Sequence, residues 1–253
     1  MALDGLNDNN KHNGFVFAGN MQARLVNYDV TLVARSRGIM RREPTTRIMW
    51  HRWIAERTSA GRPSWCENYR LPGVELPGSN RRKSTALVGL SMGSVGILNL
   101  AQRFPQRYTA VNAMSGFYTL SRPLRAGVLA VGSQMVGYQP RRMWGPWPTG
   151  QWRAHDPSLN ITRYTMPVRA SCGNGTSLTG VEPPPFAVVA EVASHVDTED
   201  FQKMVAFAPN RKNFTFRIAN KGAHNWAFWR MTCTTTVVLR SCCGVWGCSD
   251  SRH

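Results

Sequence analysis

The most informative stretch of this chain is Gly89-Leu90-Ser91-Met92-Gly93. It has the G-x-S-x-G spacing of a nucleophile elbow, in which a serine stands on a sharp turn between a strand and a helix and the glycines leave no Cβ to clash. The apolar residues before the motif predict a short buried strand, and those after it predict a helix with one apolar face. The motif therefore predicts a nucleophile at Ser91, with a structural glycine-rich turn as the alternative.

The length and composition fit a globular domain. The chain has 253 residues, of which 42% are apolar, and this is enough to enclose a substantial core. We therefore predict a single domain over residues 1–253. The chain has no apolar run of about 18 residues that would predict a transmembrane helix, and the polar residues 1–13 predict no signal peptide.

The net charge of +17 would ordinarily indicate a nucleic-acid or anionic-surface partner. A dense group of arginines lies in residues 35–83, however, where the sequence has no clear helical or strand period. A basic groove in which Trp50 and Trp53 stack on bases is a minor alternative, and we expect no specific nucleic-acid partner. The six cysteines do not have the usual zinc-ligand spacing, so we expect no metal site.

A serine becomes an effective nucleophile when a histidine takes its proton and a carboxylate orients that histidine. In α/β-hydrolases the acid and then the histidine follow the serine along the chain. His224 has the best context, because residues 213–219 alternate like a strand and a short loop then leads to it. We predict that His224 is the base and interpret His155 and His195 as structural. Spacing leaves the acid open among five carboxylates, most of which we expect to be solvated: Glu182, Glu191, Asp197, Glu199 and Asp200.

The oxyanion hole of such a site takes the main-chain amide of the residue after the nucleophile and a second amide from an earlier strand-end loop. The first of these is the amide of Met92. The early candidate for the second is Asp4-Gly5-Leu6, whose glycine can turn the Leu6 amide inward. The sequence therefore predicts Leu6 and Met92 as the two donors.

Further short motifs follow one another along the chain. They are residues 3–6 (Leu-Asp-Gly-Leu), 13–14 (Asn-Gly), 88–92, 113–116 (Ala-Met-Ser-Gly), 143–146 (Met-Trp-Gly-Pro), 156–160 (Asp-Pro-Ser-Leu-Asn), 172–175 (Cys-Gly-Asn-Gly) and 224–226 (His-Asn-Trp). In this order they resemble the mycolyltransferases, the antigen 85 type of serine acyltransferase. The resemblance implies an α/β-hydrolase fold with a central, mostly parallel sheet flanked by helices.

The same resemblance implies the roles of particular residues. In this family the acid lies in a helix shortly before a Phe-Gln pair, which is residues 201–202 here, and this points to Glu191. The other matched positions surround the implied site: Leu6 and Met92 as oxyanion donors, Cys172 as a near-site cysteine outside any disulfide, and Asp4, Asn225 and Trp226 as substrate-binding residues.

The family's chemistry is ping-pong acyl transfer, which needs no cofactor. The resemblance implies that Ser91 takes a mycolyl-type long acyl chain from a trehalose ester and passes it to trehalose or to cell-wall arabinan, in a secreted or envelope protein. Asn7 replaces a family arginine and Phe15 a tryptophan, so the sugar specificity stays open. The alternatives are a simple carboxylesterase of the same fold and an inactive product of a damaged gene.

Residues 34–82 and 230–253 do not resemble the family, although the sequence before and after the first of them does. A shifted reading frame over residues 61–69 permits Glu-Thr-Phe-Leu-Val-Arg-Glu-Leu-Pro, which is family-like and amphipathic. We interpret both segments as frame-shifted or disordered, with a genuine insertion as the alternative. Because family members carry a signal peptide and earlier strands, we also expect this chain to be truncated at its N-terminus.

Overall fold

The structure is a computed structural model that describes residues 2–3, 34–35, 86–135 and 144–234. The strands in these ranges are β1 (Ala2–Leu3), β2 (Ala34–Arg35), β3 (Ala86–Leu90), β4 (Ala110–Met114), β5 (Val168–Cys172) and β6 (Phe214–Ile218). The helices are α1 (Met92–Arg103), α2 (Pro123–Met135), α3 (Gly150–His155), α4 (Pro185–Ala206) and α5 (Trp226–Thr234). The predicted strand and helix on either side of Ser91 are confirmed, and so is the strand before His224.

The described strands are all parallel and form one sheet in the order β2-β1-β3-β4-β5-β6. The chain passes from β1 outward to β2 and then returns to β3 on the other side of β1. Such a reversal of strand order is a topological switch point, and ligands of open α/β sheets bind beside it, outside the carboxyl ends of the strands. Ser91 directly follows β3 and therefore lies at this position.

Helices cover both faces of the sheet, because the alternating side chains of buried parallel strands are apolar on both sides. On one face α1 and α4 pack over the strands, and the cluster there includes Leu87, Ile97, Leu98, Val111, Phe201 and Val205. On the other face α5 packs near the carboxyl ends of β3 and β4, and this cluster includes Leu90, Met114, Phe228 and Trp229. Each fully buried side chain of this kind contributes about 1.5–3 kcal/mol. The parallel sheet between two helical layers confirms the predicted α/β-hydrolase fold.

None of the helices in the described part of the chain is both long and apolar enough to cross a membrane.

Candidate active site

The turn at Ser91 has the geometry of a nucleophile elbow. Ser91 has φ 53° and ψ −124°, a left-handed conformation that is rare for a residue with a side chain. Its amide donates to the Met114 carbonyl at 2.8 Å, which holds the turn against the end of β4. A Cβ on Gly89 would lie 2.5 Å from the Gly93 carbonyl oxygen, so β3 and α1 approach closely only because residue 89 is glycine.

His224 lies on the loop between β6 and α5, where its imidazole meets Ser91. The Nε2 atom of His224 is 2.8 Å from Ser91 Oγ, although the two residues are 133 positions apart in the chain. The His224 amide donates to the Ala187 carbonyl of α4 at 3.1 Å, and this bond fixes the loop to the helix that carries Glu191. The His224 side chain is 8% exposed, so the imidazole is largely removed from water but can reach a ligand.

Glu191 is the one of the five candidate carboxylates that contacts His224. Its Oε2 atom is 2.9 Å from His224 Nδ1, and its side chain is fully buried. An ionised carboxylate can only accept, so Nδ1 carries the proton and Nε2 presents its lone pair to Ser91 Oγ. The other oxygen, Oε1, accepts from the Ser115 hydroxyl at 2.8 Å and from the Gly173 amide at 2.5 Å. The carboxylate is thus held at both oxygens.

The other candidate acids lie elsewhere. Glu182 is exposed, and Glu199 and Asp200 lie part-exposed beside basic side chains of α4, of α2 and of the residue just before α2. Asp197 departs from the expectation of a solvated charge, because it is fully buried. It accepts from the Thr119 hydroxyl and from the amides of Tyr118 and Thr119, and it pairs with Arg125 Nε at 3.3 Å. Burial raises the pKa of Asp197 to about 6 in spite of these partners.

Of the two residues predicted to donate to an oxyanion, one lies in the described part of the chain. Met92 is the first residue of α1, directly after Ser91. Its amide therefore belongs to a helix N-terminus, where main-chain N–H groups and the helix dipole favour negative charge. Leu6 lies outside the described residues, and so does the predicted substrate-binding residue Asp4.

The remaining predicted residues lie around the His224 loop and the end of β5. Asn225 caps α5, because its Oδ1 atom accepts from the Phe228 amide at 3.2 Å. The half-buried Trp226 ring meets Trp229 edge-on, with centroids 5.5 Å apart. Cys172 is a buried free thiol adjacent to Gly173, and burial raises its pKa to about 12. In the described ranges no three His, Cys, Asp or Glu side chains are grouped as metal ligands would be.

Sequence reasoning did not identify Ser115, Gly173 and Trp229 as parts of this site. Ser115 follows β4 with φ 49°, and Trp229 Nε1–H donates to its hydroxyl oxygen at 3.0 Å. The Trp229 ring also meets the His224 imidazole edge-on, with centroids 4.9 Å apart. Two sequence signals point to Ser115 and Gly173: each follows a buried strand of the parallel sheet, and each lies in a family-like motif, 113–116 or 172–175.

A model of the putative esterase family matches residues 71–237 of this chain. The match contains Ser91, Glu191 and His224, and it extends into residues 71–82 and 230–237 of the two segments that we interpreted as frame-shifted or disordered.

Two acyltransferase/mycolyltransferases are similar in sequence to this chain and support its assignment to the putative esterase family. The diacylglycerol acyltransferase/mycolyltransferase Ag85A of Mycobacterium tuberculosis is 32% identical over 182 residues, which are 65% of this chain and 52% of that protein. Ag85B of Mycolicibacterium smegmatis is 32% identical over 152 residues, which are 57% of this chain and 46% of that protein. The chain thus spans about half the length of the curated relatives it matches.

Solved structures share the fold. MPT51 of Mycobacterium tuberculosis superposes with a TM-score of 0.69 at 22% identity, covering 97% of this chain and 87% of MPT51. FphF, a fluorophosphonate-binding serine hydrolase of Staphylococcus aureus, superposes with a TM-score of 0.63 at 13% identity, covering 95% and 82%. The chain therefore has the α/β-hydrolase fold and belongs to the putative esterase family, with mycobacterial acyltransferase/mycolyltransferases among its relatives.

Proposed function

We propose that this chain is a serine acyl-transfer enzyme in which Ser91 is the nucleophile, His224 the base and Glu191 the acid. The observation that carries the proposal is a continuous chain of two contacts, 2.8 Å from Ser91 Oγ to His224 Nε2 and 2.9 Å from His224 Nδ1 to Glu191. The two contacts join side chains from the elbow turn, from α4 and from the loop after β6, and they meet at the switch point of the sheet. Such a relay is the arrangement that makes a serine hydroxyl nucleophilic near neutral pH.

In the acylation step Ser91 Oγ attacks the carbonyl carbon of an ester while its proton passes to His224 Nε2. The carbonyl oxygen becomes an oxyanion, for which we propose the amides of Met92 and Leu6 as donors. When the intermediate collapses, the bond to the alcohol breaks and the alcohol leaves with the proton from His224. The charge of Glu191 stabilises the imidazolium that forms between these two transfers.

In the second step an acceptor hydroxyl gives its proton to His224 Nε2 and attacks the acyl carbon. The bond to Ser91 Oγ then breaks, and Oγ takes the proton back from His224. A sugar hydroxyl as acceptor makes the enzyme a transferase, whereas water makes it an esterase. The same three side chains serve both reactions, so the acceptor site decides between them.

We propose transfer as the activity, with a mycolyl-type long acyl chain moving from a trehalose ester to trehalose or a cell-wall sugar hydroxyl at the cell surface. The names of the Ag85 relatives and the motif resemblance support this substrate class. In this proposal Asp4, Asn225 and Trp226 contact the sugar and Cys172 lies beside the acid. Residues 1–253 act as one domain, since strands from both ends of the chain share one sheet. The second candidate is a simple carboxylesterase, which the family description favours.

Covalent labelling of the purified chain with a fluorophosphonate tests the proposed nucleophile. We expect stoichiometric labelling of Ser91 and its loss in Ser91→Ala, by about 10³-fold or more in rate. Ser194→Ala is the matched control, because it removes a buried seryl hydroxyl from α4 that donates to the Gly116 carbonyl instead. Labelling that persists in Ser91→Ala would contradict the proposal by pointing to a different nucleophile. A folded wild type that is never labelled would contradict it and favour an inactive product.

Acceptor dependence separates the two candidate activities. The acyl-enzyme formed from a trehalose ester or a short acyl ester should release less free acid when trehalose is added, and the acyl chain should appear on the sugar. If added trehalose leaves the release of free acid unchanged, the transferase fails and the carboxylesterase stands.

A further inference from the structure

The carboxylate of Glu191 is the end of a second relay that does not include Ser91. Trp229 Nε1–H donates to Ser115 Oγ at 3.0 Å, and the Ser115 hydroxyl donates to Glu191 Oε1 at 2.8 Å. The three side chains come from α5, from the end of β4 and from α4. The hydrogen bonds therefore connect three separate elements at the buried side of the imidazole.

The direction of this second relay follows from the chemistry of its members. An indole N–H can only donate, so Ser115 Oγ must accept from Trp229. The single proton of Ser115 is then directed to the carboxylate, which as an anion can only accept. Ser115 is fully buried, so bulk solvent does not compete for this proton. The pair thus delivers one charge-assisted hydrogen bond to a defined oxygen of Glu191.

Trp229 also contacts the imidazole, so Trp229, Ser115, Glu191 and His224 form a closed circuit of contacts. Its edge-on contact with the His224 imidazole, at 4.9 Å between centroids, limits rotation of the ring that must face Ser91. Ser115 is itself constrained, with φ 49° and an amide that donates to the Ser171 carbonyl at 2.7 Å. A non-glycine residue with a positive φ costs conformational free energy, and it persists where the surrounding contacts impose that conformation.

We propose, on the basis of the proposed function, that Ser115 and Trp229 are positioning residues that keep the Glu191 carboxylate aligned with His224 Nδ1. Neither touches the reacting atoms. They act by fixing Oε1, so that Oε2 stays directed at Nδ1 while the imidazole gains and loses its proton. Gly173 contributes the second donor to Oε1 through its amide, which a side-chain substitution does not remove.

Removal of the Ser115 hydroxyl should slow the reaction and move its pH dependence. A lost hydrogen bond to a charged group corresponds to about tenfold to a hundredfold in the rate of fluorophosphonate labelling. A donor to the carboxylate favours the deprotonated Glu191–His224 pair, so its loss should shift the acid limb of the labelling rate upward by about half to one pH unit. Among the described residues, the titratable side chains of Tyr118 and Cys172 interact with the carboxylate, and burial raises the pKa of both, so they stay neutral over this range.

The test compares Ser115→Ala and Trp229→Phe with Ser194→Ala, measuring fluorophosphonate labelling rate against pH and thermal unfolding for each. Trp229→Phe keeps an aromatic ring at this buried position and removes the N–H together with part of the indole ring system. Because Ser115 can still donate to the carboxylate in this variant, we expect a smaller change in the same direction. The control Ser194→Ala loses a buried hydroxyl bond of similar length, 3.0 Å to the Gly116 carbonyl, without touching the carboxylate. It should keep the wild-type acid limb whatever its stability.

The outcomes separate the two proposals. If the wild type is labelled but the acid limbs of Ser115→Ala and Trp229→Phe match that of Ser194→Ala, the positioning role is overturned. Ser91 then still stands as the proposed nucleophile. If Ser115→Ala does not fold, Trp229→Phe decides alone, and an unmoved acid limb overturns the inference. A folded wild type that fluorophosphonate does not label removes the proposed function and the positioning role with it.

Discussion

Gly222 holds the loop that presents His224, and its substitution should separate loop geometry from general stability. Its φ is 122°, a conformation that residues with side chains rarely adopt. A Cβ added here would meet the ring of Phe228, whose Cγ would be 2.7 Å away, and that ring is 1% exposed and packed in the core. The Gly222 carbonyl also accepts from the Gly175 amide at 2.8 Å, which ties the loop to the end of β5. Gly222→Ala therefore cannot be accommodated without moving the loop.

The expected cost has two parts. A strained backbone costs about 1–3 kcal/mol, and overpacking against an immobile core ring costs about another 1–3 kcal/mol. Gly180→Ala is a matched control, because Gly180 has φ 80° but a Cβ there would find nothing within 4 Å. It should show only the backbone part. At about 2–4 °C per kcal/mol for a domain of this size, Gly222→Ala should unfold roughly 2–12 °C below Gly180→Ala.

The functional effect should be larger than the stability effect suggests, because Gly222 lies two residues before His224. A displacement of about 1 Å in a catalytic group costs about 10²-fold in rate. We therefore expect Gly222→Ala to slow fluorophosphonate labelling of Ser91 by about that factor, with Gly180→Ala close to wild type. Thermal unfolding and labelling rate are measured on the same three proteins. Equal unfolding temperatures and equal labelling rates for the two alanine variants would refute the steric reasoning.

Three further predictions concern the acid, a second buried carboxyl and the reading frame. Glu191→Gln should lower turnover by about 10⁴-fold. Its amide oxygen takes the place of Oε1, so its NH₂ faces His224 Nδ1 and favours the imidazole tautomer that carries the proton on Nε2, which cannot accept the Ser91 proton. Wild-type turnover would contradict this. Asp197 has a folded pKa of about 6 against an ordinary 3.8, so its contribution to stability is present below pH 3.8 and is lost as the pH rises through 6. Urea unfolding should show wild type gaining about 2 kcal/mol relative to Asp197→Asn between pH 7 and pH 4, and a constant difference would contradict it. Resequencing of the gene should show a frame change around codons 61–69, and one uninterrupted frame would contradict it.

Local pattern predicted the elements around the site well, because it depends on neighbours in the chain. The short buried strand predicted before the elbow is β3 (Ala86–Leu90), and the alternating residues 213–219 contain β6 (Phe214–Ile218). The elbow motif also determined the turn at Ser91, since the clash at Gly89 comes from residues four positions away. These features need no distant contact to be recognised.

Carboxylates could not be assigned in the same way. Glu191 and Asp197 both lie in α4, and composition gave no reason to bury either of them. Asp197 is buried because the loop after β4 supplies three hydrogen-bond donors from 78 and 79 positions away. Only the resemblance to a family points to Glu191, and although Ser115 lies in the family-like motif 113–116, nothing in the sequence indicates that it contacts the carboxylate.

By itself, the amino-acid sequence indicated a serine on a tight turn and a histidine on a loop after a strand, because each follows from short-range sterics and hydrophobic period, whereas the parallel α/β fold was implied by resemblance to a family. Only the tertiary structure decided that the Glu191 carboxylate contacts that histidine, and that the Ser115 hydroxyl and the Trp229 indole hold the carboxylate in place. Those contacts join residues 33 to 133 positions apart. They exist because parallel strands bring their carboxyl ends to one edge of the sheet.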